Sequence, residues 1–113
     1  MDCLFCKIIN KEIASNMVFE DDDLAVIRDV NPVAPVHLLL IPKKHISSIL
    51  EIDRFEDRLT AKIFKVISQT ARDMKIDRDG FRVVTNTGDG AGQSIKHLHF
   101  HILGGRKFTW PPG

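Results

Sequence analysis

The chain has 113 residues, enough for one domain, and its 43% hydrophobic and 27% charged residues are typical of a globular protein. Its formal net charge of +1, with acidic and basic residues interspersed, argues against a dedicated nucleic-acid or membrane surface. No apolar run approaches the roughly 18 residues that span a bilayer, and two cysteines three residues apart do not make a disulfide framework. We therefore expect a single cytoplasmic domain over residues 1–113.

Short apolar segments between turn residues predict three strands in the first half of the chain. In chain order these are Met17–Glu20, Leu24–Arg28 and residues 36–41. Before them, residues 3–12 are expected to form a short helix or turn with its apolar side chains facing inward. Those side chains are Leu4, Phe5, Ile8 and Ile9.

One long amphipathic helix is predicted over residues 53–74, because apolar side chains recur there at spacings of three and four. The stripe consists of Phe55, Leu59, Ile63, Val66, Ile67, Thr70 and Met74. Asp53 is the expected N-cap, with Glu56 as part of a capping box. Two more strands are predicted over residues 80–85 and 97–103. This order of elements predicts an α+β fold with an antiparallel sheet.

Three of the five histidines alternate with apolar residues in the last predicted strand. Alternate side chains of a strand share a face, so His97, His99 and His101 are expected on one face, with successive Cα atoms about 6.6 Å apart. Histidines recurring by chance on a solvated face are the weaker interpretation, since such faces normally carry Lys, Glu, Thr or Ser. Residues 86–94, just before this strand, include three glycines in five positions, which let backbone amides approach an anion. Alone this loop could be a hairpin connection, but beside the histidines it predicts a phosphate cradle next to a nucleophile.

These features resemble the histidine-triad (HIT) family, whose signature alternates three histidines with apolar residues, as in His97-Leu98-His99-Phe100-His101-Ile102-Leu103. The similarity extends over nearly the whole chain. Its other segments are Phe19-Glu20-Asp21-Asp22, Ala34-Pro35-Val36-His37, Ile41-Pro42-Lys43-Lys44-His45-Ile46, Gly92-Gln93-Ser94, Gly104-Gly105-Arg106 and Trp110-Pro111-Pro112-Gly113. The chain is most similar to the Hint (histidine triad nucleotide-binding) branch. The resemblance implies the HIT fold, an antiparallel sheet of about five strands with one long and one short helix, and a homodimer with a continuous sheet.

The resemblance also implies catalytic roles. In the family the middle histidine attacks the α-phosphorus of a nucleotide, so His99 is the expected nucleophile, provided that its other ring nitrogen donates to a fixed acceptor. His101 is expected to contact the phosphate or assist proton transfer, and Ser94 to hydrogen-bond the leaving group. His37 receives a supporting role, because it could equally be a buried histidine satisfied by hydrogen bonds.

A nucleotide-binding set follows from the same resemblance. Its phosphate-contacting members are Asn86, Gly92, Gln93, Ser94, His99 and His101. Asp29 matches the carboxylate that holds the ribose hydroxyls, although it could be only a turn residue before Asn31-Pro32. Candidates for an apolar base pocket, each of which could be plain core, are Phe5, Ile8, Ile27 and Val30. Trp110 is expected near the active site of the partner subunit, where it would influence which leaving groups are accepted.

The spacing Cys3-x-x-Cys6 lets two thiolates reach one metal ion. A redox pair would be expected within a βαβ pattern, which is absent before Cys3, and two free core thiols are the remaining alternative. Some HIT proteins carry two N-terminal cysteines together with histidines that correspond to His45 and His97. The resemblance therefore implies a structural zinc site, but not a cofactor for the chemistry, because other members lack the cysteines.

The implied function is hydrolysis of purine nucleoside 5′-phosphoramidates to an amine and a nucleoside monophosphate. Hydrolysis of dinucleoside polyphosphates or other nucleotidyl esters is the alternative within the family, but the complete triad and the closing Trp-Pro-Pro-Gly favour the first. A nucleotide-binding interaction protein with incidental catalysis would be indicated by a lost nucleophile, and His99 is present. A purely structural zinc module would leave His99, His101 and the glycine loop unexplained.

Overall fold

Five antiparallel strands form the sheet of this computed structural model, which describes residues 3–113. In chain order the strands are β1 (Met17–Glu20), β2 (Leu24–Arg28), β3 (Val36–Pro42), β4 (Phe81–Val84) and β5 (Phe100–Gly104). Their order across the sheet is β1-β2-β3-β5-β4, so the last strand of the chain lies between β3 and β4. The short helix α1 (Leu4–Ile9) and the long helix α2 (Asp57–Asp73) confirm the predicted α+β architecture.

The two sheet faces carry separate apolar clusters. Strands β2 and β3 are buried almost throughout, which explains their continuous apolar runs. The larger cluster packs α2 against one face and includes Leu38, Leu40, Leu98, Phe100 and Ile102. The smaller cluster packs α1 against the other face and consists of Phe5, Ile8, Ile27, Leu39 and Ile41. The face that carries α1 is therefore the one toward which His101 of β5 points, since Leu39 pairs with His101.

The predicted start of the long helix is wrong. Residues Ile49–Arg54 form a 3-10 helix, Phe55 is extended (φ −91°, ψ 146°), and α2 begins only at Asp57. Asp53 therefore caps nothing, and Glu56 occupies the N-cap position without a side-chain hydrogen bond. The apolar stripe nevertheless faces the core, because Phe55 is buried there from its extended conformation rather than from a helical turn.

Two other predicted features differ in detail. Leu4 is 43% exposed and Ile9 is half-buried, so only Phe5 and Ile8 of the four N-terminal apolar side chains are buried. The strand predicted over 97–103 joins the sheet only at Phe100. The backbone before it leaves the ladder, and the Leu98 N–H donates instead to the carbonyl of Ile46 at 2.8 Å. None of the helices within residues 3–113 has the length and apolar character needed to cross a membrane.

Candidate active site

The alternation of histidine and apolar side chains persists although residues 97–99 lie outside β5. Leu98, Phe100 and Ile102 belong to the cluster under α2, which leaves the imidazoles on the side of α1. There the ring of Phe5 meets His99 edge-on, with 4.9 Å between ring centroids, and His97 at 5.9 Å. Helix α1 thus forms a wall of the histidine cluster, because its one aromatic side chain packs against these rings.

The His99 ring is fixed by the backbone two residues earlier. Its Nδ1 atom lies 2.7 Å from the carbonyl oxygen of His97. A carbonyl only accepts hydrogen bonds, so Nδ1 carries the proton and Nε2 keeps a free electron pair. The Thr85 hydroxyl donates to the His99 carbonyl at 2.8 Å and holds the backbone itself. The expected fixed acceptor for His99 is therefore present.

His37 and His101 form a second, connected pair. The N–H of Val33 donates to Nδ1 of His37 at 3.1 Å, so the His37 proton resides on Nε2. That atom lies 2.9 Å from Nδ1 of His101 and 3.3 Å from Oδ2 of Asp29. Two N–H groups cannot face one another at this distance, so Nδ1 of His101 accepts and its proton is on Nε2. His37 is thus both buried and hydrogen-bonded, and it contacts the triad.

Burial keeps this pair of imidazoles neutral. Desolvation lowers the pKa of His37, opposed by the charge of Asp29. Desolvation also lowers the pKa of His101 to about 4, followed by the charges of His99 and His37, again against Asp29. Near pH 7 the site therefore holds neutral rings with defined donor and acceptor atoms.

Asp29 lies at the end of β2 and takes part in a turn. Its Oδ1 accepts from the N–H of Asn31 at 2.8 Å, the geometry of an Asx turn, while its Oδ2 faces His37. Both interpretations of this residue are therefore compatible with the structure. The same carboxylate that orders the turn also lines a cleft between α1 and the end of β2.

The glycine loop is ordered by a buried glutamine. Gln93 accepts from the N–H of Gly88 at 3.0 Å and donates to the carbonyls of Ser47 at 2.6 Å and Ile95 at 3.2 Å. Gly88 and Gly92 take positive φ, at 85° and 82°, as the loop's tight turn requires. The backbone N–H of Gly92 and that of Gln93 also bond within the loop. Gln93 therefore shapes the loop, and its side chain is fully occupied in doing so.

Other residues of this loop keep free polar groups. Within residues 3–113, the side chain of Asn86 makes no hydrogen bond, and the hydroxyl of Thr87 is buried without a partner. Ser94 is exposed and lines the cleft beside α1. The structure thus places Ser94 next to a cavity.

That cleft has a volume of about 500 Å³ and lies between α1, the end of β2 and the glycine loop. The four candidate base-pocket residues all line it, and they are Phe5, Ile8, Ile27 and Val30. The first three are also core residues, whereas Val30 is 89% exposed at the rim. Leu39 and Ile95 line it too, although nothing in the sequence around them distinguishes them from other core residues. Trp110 is 83% exposed and does not line the cleft of its own chain.

The two cysteines and two histidines converge as predicted. Nδ1 of His97 lies 3.3 Å from Sγ of Cys3, 3.6 Å from Sγ of Cys6 and 3.0 Å from Nδ1 of His45, which is 3.3 Å from Sγ of Cys6. A tetrahedral zinc ion with ordinary bond lengths separates its sulfur and nitrogen ligand atoms by roughly 3.3–3.8 Å. The three sulfur–nitrogen distances lie in this range, and the two histidine nitrogens are a few tenths of an ångström closer. Nε2 of His97 lies 2.7 Å from the carbonyl oxygen of Pro42, which leaves Nδ1 as the free ligand atom. The four side chains therefore fit a zinc ion.

The pKa values of the Cys6 thiol and of His97 bear on whether the cluster could bind a metal ion. Burial, and then the neighbouring Cys3, raise the pKa of the Cys6 thiol to about 11, while burial lowers the pKa of His97 to about 4. A thiol must lose its proton to bind metal, and a divalent ion supplies the positive charge that favours this loss. The cluster thus carries a neutral histidine and a protonated thiol, and the thiol would lose its proton if a divalent ion were bound.

Comparison with known proteins places this site in a family. The HIT domain matches residues 10–108. An uncharacterized HIT-like protein of Synechocystis sp. is 46% identical over 112 residues, which is 99% of this chain and 97% of that protein. The chain therefore belongs to the HIT family, as the resemblance of its histidine motif predicted.

Solved structures agree with this assignment. A HIT family hydrolase from Legionella pneumophila superposes with a TM-score of 0.95 at 45% identity, covering 99% of this chain and 100% of that one. A histidine triad nucleotide-binding protein from Candida albicans gives 0.82 at 30% identity, covering 97% of this chain and 83% of that one. The HIT fold predicted from the sequence is thereby confirmed.

Proposed function

We propose that this protein hydrolyses purine nucleoside 5′-phosphoramidates through a nucleotidyl intermediate on His99. The observation that carries the proposal is the 2.7 Å contact of His99 Nδ1 with the His97 carbonyl, which leaves Nε2 free. The ring packs against Phe5, and Phe5 and Ser94 line the adjoining cleft. An imidazole whose Nδ1 is held and whose Nε2 lone pair points away from that contact, beside a glycine-rich loop, is suited to attack on phosphorus.

In the first step, Nε2 of His99 forms a bond to the α-phosphorus while the bond from phosphorus to the amine nitrogen breaks. The electron pair of that bond goes to nitrogen, which takes one proton relayed from solvent by the Ser94 hydroxyl. In the second step, water attacks the same phosphorus, the bond to Nε2 breaks, and the proton returns to solvent. The net reaction consumes one water and yields a nucleoside monophosphate and an amine.

His101 would act as a neutral hydrogen-bond donor to the phosphoryl group. Its proton is on Nε2, because Nδ1 faces His37, and its pKa of about 4 disfavours the charged form. A neutral imidazole aimed at a developing negative charge stabilises that charge without a prior proton transfer. His37 would support this role by holding Nδ1 of His101.

In this proposal the nucleotide would lie in the cleft beside α1. The carboxylate of Asp29 would accept from the ribose hydroxyls, and the apolar wall of Phe5, Ile8 and Ile27 would contact a purine. Phosphate contacts would come from Asn86 and Ser94, while Gly92, whose N–H donates to Asp89, and Gln93 would shape the loop. An apolar wall discriminates poorly between bases, so the proposal extends to adenine and guanine nucleotides.

Zinc bound by Cys3, Cys6, His45 and His97 would be structural. It would join α1 to the strand of the triad, because two ligands lie at the start of the chain and one lies two residues before His99. The ion would supply no step of the reaction.

The protein is also proposed to form a two-fold homodimer through the edge strand β4. Within the described residues β4 pairs only with β5, and its Phe81 and Val83 are each 37% exposed. Pairing with a second copy would cover this edge and bring Trp110 toward the partner's cleft. Light scattering at micromolar concentration should give twice the chain mass of 12.8 kDa, and a monomer mass would contradict the dimer.

The deciding experiment measures hydrolysis of adenosine 5′-phosphoramidate by the wild type, His99→Ala and His99→Asn. Both variants should lose several orders of magnitude in kcat while they still bind adenosine monophosphate, because the attacking imidazole is removed and the residues that line the cleft are unchanged. Rapid quenching of the wild type followed by mass spectrometry should detect the nucleotidyl adduct. Robust turnover by either variant would exclude His99 as nucleophile. Wild-type activity on a dinucleoside polyphosphate alone would show that the protein hydrolyses that class of nucleotide instead. Nucleotide binding without any turnover would favour a nucleotide-binding interaction protein.

A further inference from the structure

Val33 is held at both of its backbone polar groups, by partners from different parts of the chain. Its carbonyl accepts from Nε of Arg106 at 3.1 Å, and its N–H donates to Nδ1 of His37 at 3.1 Å. Arg106 follows β5, whereas Val33 lies in the loop before β3. The loop that contacts His37 is thus attached to the end of the strand that carries His101.

The Val33 N–H and the Asp29 carboxylate together determine where the protons of two histidines reside, the first at Nδ1 of His37 and the second at its Nε2. With Nδ1 of His37 accepting, the His37 proton must be on Nε2, which is 2.9 Å from Nδ1 of His101. His101 must then keep its proton on Nε2. Without the Val33 donor only Asp29 would favour the proton on Nε2 of His37, so the opposite tautomers, in which Nε2 of His101 accepts, would gain population.

Arg106 is positioned for this contact by its neighbours. A Cβ atom on Gly105, whose φ is 87°, would lie 2.9 Å from Cβ of Pro35, so the chain approaches the loop closely at a glycine. The Arg106 guanidinium also lies over the ring of Phe108, 4.3 Å from its centroid. These contacts hold the side chain in the conformation that reaches the Val33 carbonyl.

We propose that Arg106 is a positioning residue which, through Val33 and His37, fixes His101 as an Nε2–H hydrogen-bond donor. This inference rests on the proposed function only for its effect on catalysis. The tautomers themselves can be observed without turnover. Arg106 touches none of the reacting groups and acts entirely through the loop.

Arg82 provides a matched control. Its guanidinium also lies over the ring of Phe108, 5.1 Å from the centroid. It donates a hydrogen bond to the backbone carbonyl of Thr109 at 2.9 Å. It therefore makes the same kinds of contact as Arg106 without touching Val33. Arg106→Met and Arg82→Met both keep an apolar stem over Phe108 and remove the donor.

The test records the ring-nitrogen protonation of His37 and His101 by proton–nitrogen-15 correlation spectroscopy, together with kcat and KM for adenosine 5′-phosphoramidate. Arg106→Met should lower the Nε2–H share of His101 and reduce kcat roughly three- to tenfold, the effect of one hydrogen bond, with KM little changed. Arg106→Lys should recover part of the loss, since an ammonium can donate to the same carbonyl. Arg82→Met should match the wild type.

Two further variants test the backbone donor itself. Val33→Pro removes the N–H, whereas Val33→Ala keeps it and changes only an exposed side chain. Val33→Pro should shift the tautomers further than Arg106→Met, and Val33→Ala should leave them unchanged.

Wild-type tautomers in a folded Arg106→Met protein would overturn the inference. Equal losses of kcat in Arg106→Met and Arg82→Met would overturn it as well. If Val33→Pro does not fold, the Arg106 series decides. A wild type with the expected tautomers but no turnover would refute only the proposed function.

Discussion

His97 and His99 are joined by a hydrogen bond of 2.7 Å between the carbonyl oxygen of the first and Nδ1 of the second. The same His97 contributes Nδ1 to the cluster of two cysteines and His45, and its Nε2 is tied to the carbonyl of Pro42. One residue therefore fixes the proposed nucleophile with its backbone and the candidate zinc site with its side chain. Any disturbance of the cluster should reach His99 through this residue.

Metal removal is therefore expected to weaken both folding and nucleotide binding. Protein purified without chelator should contain about one zinc per chain, and Cys6→Ser should lose it. Helix α1 has only six residues and cannot persist without tertiary contacts, so Phe5 should loosen from His99. Metal analysis, thermal melting and titration with adenosine monophosphate should all register the change.

Lys7→Ser is the control for that experiment, because it places the same residue on α1 but leaves the cluster intact. It should retain zinc and bind nucleotide as the wild type does. A metal-free wild type that is fully folded, with both thiols open to titration, would contradict the structural zinc site.

Close packing at the end of β5 gives a second prediction. A Cβ atom on Gly104 would lie 2.8 Å from three side-chain carbons of Ile76, a buried residue. Gly104→Ala should therefore lower the free energy of unfolding by about 1–3 kcal/mol, the usual cost of overpacking. Urea denaturation measures this, and a change near zero would show that Ile76 can move freely.

The double variant Gly104→Ala, Ile76→Ala tests the cause. Ile76→Ala alone should cost about 2–5 kcal/mol because it leaves a cavity. The added methyl group partly fills that cavity, so the double variant should be more stable than the sum of the two single changes. Additive costs would point to the backbone of Gly104 rather than to the contact.

Local patterns in the sequence predicted β1, β2 and the inward stripe of α2, because each depends on the alternation or helical spacing of nearby residues. The start of α2 could not be read this way. Phe55 fits the helical spacing, yet it is extended, since Glu51 binds the N–H and hydroxyl of Ser47 and stabilises a separate 3-10 turn. Spacing alone does not reveal such a competing side-chain contact.

Some residues of the candidate site can likewise be predicted from the sequence, and others cannot. The triad, the Cys-x-x-Cys pair and the glycine loop were found because their chemistry is unusual at short spacing. Arg106 and Val33 are 73 positions apart and Leu39 looks like any core residue, so only the tertiary structure shows their relation to the site. The resemblance predicts that Gln93 contacts phosphate, whereas its three hydrogen bonds within the protein show that its side chain orders the loop.

The carboxylate of Glu51 should make stability depend on acid pH. Hydrogen bonds from the side chain and backbone of Ser47 lower its pKa from 4.5 to about 2. The folded state therefore binds this proton less readily than the unfolded state, and the stabilisation is present above pH 4.5 and lost as pH falls toward 2. Glu51→Gln should be less stable than the wild type at pH 7, and the difference should vanish near pH 2.

Arg54→Gln serves as the reference for that titration, because it removes the other, weaker partner of Glu51 and keeps the Ser47 bonds. Its loss of stability at pH 7 should be smaller than that of Glu51→Gln. Equal stability differences at pH 7 and pH 2 for Glu51→Gln would refute the electrostatic origin.

The neutral state of His101 should also make the protein less stable as the pH falls, although here the folded state keeps a base uncharged rather than an acid charged. Burial, together with the charges of His99 and His37, lowers the pKa of His101 from 6.5 to about 4, against the charge of Asp29. Between these two values the unfolded chain binds a proton at this residue and the folded protein does not. The free energy of unfolding should therefore fall as pH decreases from 6.5 toward 4.

His101→Gln removes this titrating group, so the stability of the variant should depend less on pH between 7.0 and 5.5. Urea denaturation with zinc in excess measures this. Identical pH dependence in the two proteins would mean that His101 accepts a proton in the folded state as readily as in the unfolded chain, and its proposed role as a neutral donor would then fail.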